Sequence, residues 1–247
     1  MRLTVLGFWG GYPTRNGGTS SYLLESEDDH LLIDAGSASL ISLEEVLDPL
    51  DLDAVLISHY HYDHIADLGV LQFTHQLKKS EKQRSSLLPI YGHQEDQENF
   101  ARLTMENVSL GKAYHEEDHL EIGPFEVTFM RTLHPVPCFA FRIKEKKTGK
   151  ILVFTADSGY LEGFIPFAED ADVLLADTNF YEGTGGNRQV HMSADEVGKI
   201  AAEAKVKKLI LTHLPQEGNV EELKHQAAAL YKDGEILIAK KHLVVDI

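Results

Sequence analysis

Cysteine is nearly absent: Cys138 is the only one in 247 residues. That excludes an internal disulfide framework and fits a reducing compartment. Bases are scarce: 23 Lys and Arg face 39 Asp and Glu, leaving a formal net charge of −16. Such a surface repels nucleic-acid phosphates unless a local basic patch intervenes. No apolar run approaches the roughly 18 residues that span a bilayer. The N-terminal MRLTVLGFWGG lacks the longer apolar core of a signal peptide. Long Pro/Gly/Ser linkers, internal repeats and low-complexity segments are missing too. These absences leave a soluble, cytoplasmic protein read as one domain over residues 1–247, or two fused halves sharing one core. A hydrophobic fraction of 43% supports a globular core.

What is present is a series of short apolar runs between turn signals. RLTVLG predicts a strand, followed by the Gly/Pro/Asn-rich loop GGYPTRNGGT. SSYLLES and LLIDAG predict two strands around a charged hairpin. SLISLEEVL predicts a helix, LDAVLIS a buried strand, and residues 66–79 another helix. LLPIYGH predicts a strand, and residues 94–107 a helix or lid. In the second half, FEVTFMRTLH, CFAFRIKEK, ILVFTADSG, ADVLLADTNF and KKLILTHL all predict strands, as do EILIAK and HLVVDI. SADEVGKIAAEAK predicts a helix with a capping-box pattern from Ser193 to Glu196, and NVEELKHQAAALY a second one. Strand-rich halves, each with helices, predict two sheets packed face to face with helices outside.

The chemistry concentrates where LDAVLIS runs into HYHYDH. His59, His61, Asp63 and His64 form H-x-H-x-D-H. Residues 59 and 61 share a direction if the strand persists, and a tight turn would swing Asp63 and His64 to a second position. Imidazole and carboxylate suit zinc, iron or manganese. Four such residues in six positions exceed one tetrahedral site with an open position, so two metals are expected. Further ligands end other apolar runs: His134 after VTFMRTL, Asp157 after ILVFTA, His213 after LILT. The assignment is His59, His61 and His134 on one metal, and Asp63, His64 and His213 on the other. Asp157 bridges them. The remaining histidines, such as His30, His75 and His93, are left unassigned. Asp34, in LLIDAG, is either an orienting group behind the ligands or an ordinary turn carboxylate.

This ordered set, H-x-H-x-D-H, a lone His, TAD and LTH, resembles the metallo-β-lactamase superfamily over nearly the whole chain. The resemblance implies an αββα sandwich of two mixed β-sheets with a dinuclear site. Two metals with a bridging hydroxide make hydrolysis the expected reaction. The β-lactam hydrolases usually lack an aspartate at the bridging position, where this chain has Asp157. The basic helical domain of glyoxalase-II-type thioesterases and the flavodoxin-like domain of di-iron oxygen reductases are missing.

FWGGYPTRNGGTSSYLL resembles the opening of ribonuclease Z-like proteins. LLADTNFY resembles their His-Glu-Ala-Thr box, with Asp177 at the glutamate position, and HMSADEVGKIA resembles their His-Ser-Thr box. The resemblance implies that His191 contacts phosphate and protonates the leaving oxygen while Asp177 orients it. Asp63, His191 and Asp177 make up the expected catalytic set. Bacterial ribonuclease Z carries a long tRNA-binding arm between its third histidine and its bridging aspartate. Here residues 135–156 are used up by two strands and a hairpin, and the acidic balance also argues against tRNA.

The expected function is therefore a dinuclear phosphodiesterase acting on a small phosphodiester or nucleotide. Its cofactors are two divalent ions, with zinc first and manganese and iron open. The alternatives are a ribonuclease Z-like tRNA 3′-processing endonuclease and, in another class, a non-catalytic metal-binding protein. The resemblance also implies a homodimer.

Overall fold

The computed structural model describes residues 1–78, 86–184 and 190–247. The chain divides into two compact units, Met1–His115 with Lys240–Asp246, and Glu116–Ala239 with Ile247. Each builds one mixed sheet, antiparallel on one side and parallel on the other.

The first unit opens with β1 (Arg2–Trp9), β2 (Gly18–Thr19), β3 (Ser21–Ser26) and β4 (Asp29–Ile33). Helix α1 (Ser39–Glu44) leads to β5 (Ala54–Leu56), and α2 (Tyr62–Ile65) and α3 (Leu68–Lys78) lead to β6 (Leu88–His93). Helix α4 (Gln97–Ala101) leads to β7 (Ser109–Tyr114), and β15 (Val244–Asp246) returns to the sheet at its far edge. Among the described residues the order is β15-β1-β3-β4-β5-β6-β7, with β2 beside β1. Strands β4, β5, β6 and β7 run parallel. A parallel strand must be reached by a crossover, and the helices supply it. Leu6, Leu23, Leu32, Val55, Ile57, Leu71 and Ile90 form the centre of this unit's core.

The second unit begins with β8 (His119–Ile122), β9 (Phe125–Arg131), β10 (Phe139–Glu145) and β11 (Ile151–Phe154), all antiparallel neighbours. After α5 (Phe164–Phe167), β12 (Val173–Asp177), α6 (Ala194–Glu203), β13 (Lys208–Thr212), α7 (Val220–Leu230) and β14 (Glu235–Ile238) continue as parallel crossovers. The order is β14-β13-β12-β11-β10-β9-β8. Strand β9 shows period-2 burial, with Phe125, Val127 and Phe129 inside. Phe129, Phe141 and Phe154 pack ring to ring at centroid distances of 5.7 and 6.1 Å. Strand β12 is buried at every position, as parallel strands covered on both faces are.

The expected strands and helices form, most with shorter ends; β1 runs on to Trp9, β4 starts at Asp29 within the expected hairpin, and β2 forms at the end of the expected loop. The helix expected over residues 66–79 is α3, and Lys79 lies outside the described residues. The capping box at Ser193 and Glu196 forms as its spacing predicts. Strands β7 and β8 and the short helices α2 and α5 are additions to the sequence reading. Among the described residues no helix is long and apolar enough to cross a membrane.

Candidate metal centre

In each unit the parallel strands deliver their C-terminal ends to one sheet edge, where α/β sheets place their ligands. In the first unit those ends are Asp34 after β4, Ser58 and His59 after β5, and His93 closing β6. In the second they are Asp157 after β11, Asp177 closing β12 and His213 after β13. The chain turns sharply there: Asp34, Ala156 and His213 have φ of 54°, 50° and 51°. That left-handed region costs a residue with a β-carbon about 1–3 kcal/mol and tends to cluster at functional sites.

The first unit holds its donors through Asp34, which is fully buried. Asp34 accepts from the Ser58 amide at 2.8 Å, the Ser58 hydroxyl at 2.8 Å and His64 Nδ1 at 2.7 Å. With the proton on His64 Nδ1, Nε2 carries the lone pair that a metal would take. The Ser58 hydroxyl, having given its proton to Asp34, accepts from His59 Nδ1 at 3.1 Å, so His59 also presents Nε2. Asp34 is thus an orienting group, which settles the choice that the sequence left open. Burial pushes its carboxyl above the ordinary range, against the lowering by His64 and Ser58.

The backbone fixes the rest of this array. Ala35 N donates to His64 O at 2.7 Å, and Asp63 Oδ2 accepts from Gly11 N at 2.9 Å. Four residues after His61 form α2, a single turn that places Asp63 and His64 together. His59 Nε2 lies 3.1 Å from His61 Nδ1, and His64 Nε2 lies 3.6 Å from Asp63 Oδ2.

The second unit gathers the other five predicted residues. Asp157 Oδ2 is 3.3 Å from His213 Nε2 and 3.9 Å from His134 Nε2. Asp177 Oδ2 accepts from His191 Nδ1 at 2.7 Å and from the Ser158 amide at 3.1 Å. Asp177 Oδ1 stands 3.4 Å from His213 Nδ1. One carboxylate therefore sits behind both His191 and His213, a link that the sequence does not reveal. The two rings stack at 4.9 Å, with 25° between their planes. Asp157, Asp177, His191 and His213 bring one donor atom each to within 4.8 Å of one another.

Backbone bonds from Phe180 N to Met192 O at 3.1 Å and from Ala194 N to Phe180 O at 3.0 Å clamp the His191 segment beside the end of β12. Burial alone would lower the His191 imidazole. The charge and hydrogen bond of Asp177, aided by Asp157, outweigh it and hold the ring above its ordinary value. Cys138 is buried, with Sγ toward Asp157 O at 3.5 Å; Thr132 Oγ1 donates to the same oxygen at 2.8 Å.

The donor chemistry fits divalent metal ions. Two nitrogens each about 2.0–2.1 Å from a tetrahedral zinc lie about 3.3 Å apart. The His59–His61 and His213–Asp157 separations match that spacing. Every donor is an imidazole or a carboxylate oxygen, the set shared by zinc, manganese and iron.

Known proteins similar to this chain agree. The family described as beta-lactamase superfamily domain matches residues 30–214. The probable metallo-hydrolase YhfI of Bacillus subtilis is 45% identical over 99% of both chains. The crystal structure of that metallo-β-lactamase fold protein superimposes with a TM-score of 0.93 over 99% of each chain. Ribonuclease Z of Streptomyces coelicolor is 25% identical over 96% of this chain and 95% of its own. The short form of human tRNase Z shares the fold at a TM-score of 0.78 and 22% identity, covering 100% of this chain and 99% of its own. The chain thus has the metallo-β-lactamase fold, belongs to the metallo-β-lactamase superfamily and is a metal-dependent hydrolase.

Proposed function

We propose that the chain is a dinuclear phosphodiesterase acting on a small phosphodiester or nucleotide. In this reading His59, His61 and His134 hold one ion, Asp63, His64 and His213 hold the other, and Asp157 bridges. Zinc is the first choice for both. The ions, when bound, supply a water of lowered pKa and neutralise charge on the substrate's phosphoryl oxygens. The chain's own residues do the rest. Asp63 belongs both to the ligands and to the catalytic set, and Asp34 sets which nitrogen His64 presents.

The observation that carries the reading is the His191–Asp177 pair, hydrogen-bonded at 2.7 Å and stacked on a proposed ligand histidine. With Nδ1 engaged by Asp177, His191 keeps Nε2 for the substrate. Asp177 favours the protonated form of the ring, and Nε2 can then give its proton to the leaving alkoxide. This is the demand of a diester, whose leaving oxygen is a poor leaving group until protonated.

The small substrate is favoured by the span from His134 to Asp157. Strands β10 and β11 occupy it, and residues 146–150 between them form only a short turn. The 25% identity to a ribonuclease Z over nearly the full chain supports tRNA 3′-end cleavage as a second reading. A homodimer is proposed on the family resemblance. Hydrolysis of bis(p-nitrophenyl) phosphate, run beside cleavage of a precursor tRNA, tests the choice. Turnover of the small diester alone supports the first reading. Specific tRNA cleavage replaces it with the second, and inactivity on both sends the search to thioesters and lactones.

A further inference from the structure

Resting on the phosphodiesterase reading, we infer a nucleobase-binding subsite in the first unit, built by Tyr12 and Tyr62 and completed by Arg15. Among the described residues three aromatic side chains are exposed: Tyr12 at 57%, Tyr62 at 77% and Phe73 at 54%. Two of these three flank one hydrogen bond. Gly11 N donates to Asp63 Oδ2 at 2.9 Å. Tyr12 follows Gly11 in the chain, and Tyr62 precedes Asp63. The bond ties the segment carrying Tyr12 to the segment carrying Tyr62 at a proposed metal ligand.

The loop that carries Tyr12 is built to hold its place. Thr14 and Gly17 exchange backbone hydrogen bonds at 3.0 and 3.3 Å, and Tyr12 N donates to Gly10 O at 2.7 Å. Thr19 N ties the end of the loop to Ser37 O at 3.1 Å. The small turn raises Arg15 and Asn16 at its tip, both exposed. Arg2, Arg102 and Arg142 are held by hydrogen bonds or ion pairs, and Arg131 lies over the Phe139 ring. Arg15 has no such partner among the described residues. An unpaired guanidinium is notable in a chain of net charge −16. Two exposed rings and an exposed guanidinium beside a phosphate-cleaving centre match a nucleotide. The rings stack the base, and the guanidinium takes a further phosphate.

The test is calorimetric binding to the zinc-loaded full chain, comparing thymidine 5′-monophosphate with methyl phosphate. The nucleotide should bind about 10-fold more tightly, the scale of one base on an aromatic ring. Tyr62→Ala and Tyr12→Ala should each shrink that ratio toward one, and Tyr62→Phe should keep it. Thymidine 3′,5′-bisphosphate should gain further affinity, and Arg15→Ala should remove the gain. Equal binding of nucleotide and methyl phosphate by the wild type, or a ratio that survives both alanine variants, overturns the subsite. Metal content measured on each variant separates misfolding from loss of the subsite, and the wild-type comparison needs no variant. Hydrolysis of bis(p-nitrophenyl) phosphate by the same wild-type sample reports on the activity separately. Tyr62-dependent nucleotide binding without diester hydrolysis would keep the subsite and reject the phosphodiesterase.

Discussion

His61 and His191 stand for two different jobs that an alanine can tell apart. His61 Nδ1 sits 3.1 Å from His59 Nε2, a spacing that suits one shared cation. His191 instead leans on Asp177 through Nδ1. His61→Ala is expected to lose bound metal and, with it, hydrolysis. His191→Ala is expected to keep its metal while kcat falls about 10²-fold, the lower range for a general acid. Metal analysis and steady-state kinetics on the two purified variants decide this. Full activity in the first would remove His61 from the site, and metal loss in the second would make His191 a ligand. At this scale the sequence was readable because H-x-H-x-D-H packs four donors into six positions, an order that chance composition rarely produces. The orienting role of Asp34 and the double reach of Asp177 were not readable. Both depend on residues distant in the sequence: Asp34 is hydrogen-bonded to His64 and Ser58, and Asp177 is hydrogen-bonded to His191 and lies 3.4 Å from His213.

Within each unit, parallel strands bring their ends to one edge of that unit's sheet, so close approach between segments matters. Gly36 shows how close. A β-carbon there would clash with Asp63 O and Thr19 Oγ1, and would crowd Ser20 O as well. Gly36→Ala should therefore shift the segment that carries Asp63, lower the thermal midpoint by several degrees and reduce metal content. An unchanged midpoint and full metal loading would show that the segment gives way without cost.

At the opposite end of β12, Asp172 accepts from Lys150 Nζ at 2.9 Å, Lys207 Nζ at 2.7 Å and Ile151 N at 2.9 Å. Burial would raise this carboxyl, but the two lysines and the amide outweigh it and hold it below its ordinary value. A lowered folded-state pKa stabilises above the unfolded pKa of about 3.9 and loses that contribution as pH falls through the folded value. Asp172→Asn is thus expected to melt a few degrees below the wild type at pH 7, with the gap closing below about pH 4. A gap independent of pH would assign the effect to packing.

The elements missed in the sequence have physical reasons in common. Strand β7, SLGKAY, and strand β8, HLEI, are sheet edges with mixed burial, so their alternation is weak. Helices α2 and α5 are four residues long, too short to show a helical period.

Over the whole molecule, acidic charge and the short turn between β10 and β11 bear on what the hydrolase acts on. A net charge of −16 weakens any long polyanion's approach, while a small diester pays little for it. The metallo-β-lactamase fold was legible because its ligands come in a fixed order along alternating strands and helices. The substrate was not, because the ligand set is shared across hydrolases of several kinds, and only side chains outside it, such as Tyr12 and Tyr62, bear on the choice. The proposed phosphodiesterase activity depends on two bound metals. Its most direct test is a titration of metal-stripped protein with zinc, following hydrolysis of bis(p-nitrophenyl) phosphate at each step. The prediction is no turnover without metal, and a rate that rises to a plateau at about two equivalents per chain. Turnover in the stripped protein, or two tightly bound zinc ions with no diester hydrolysis, would contradict it.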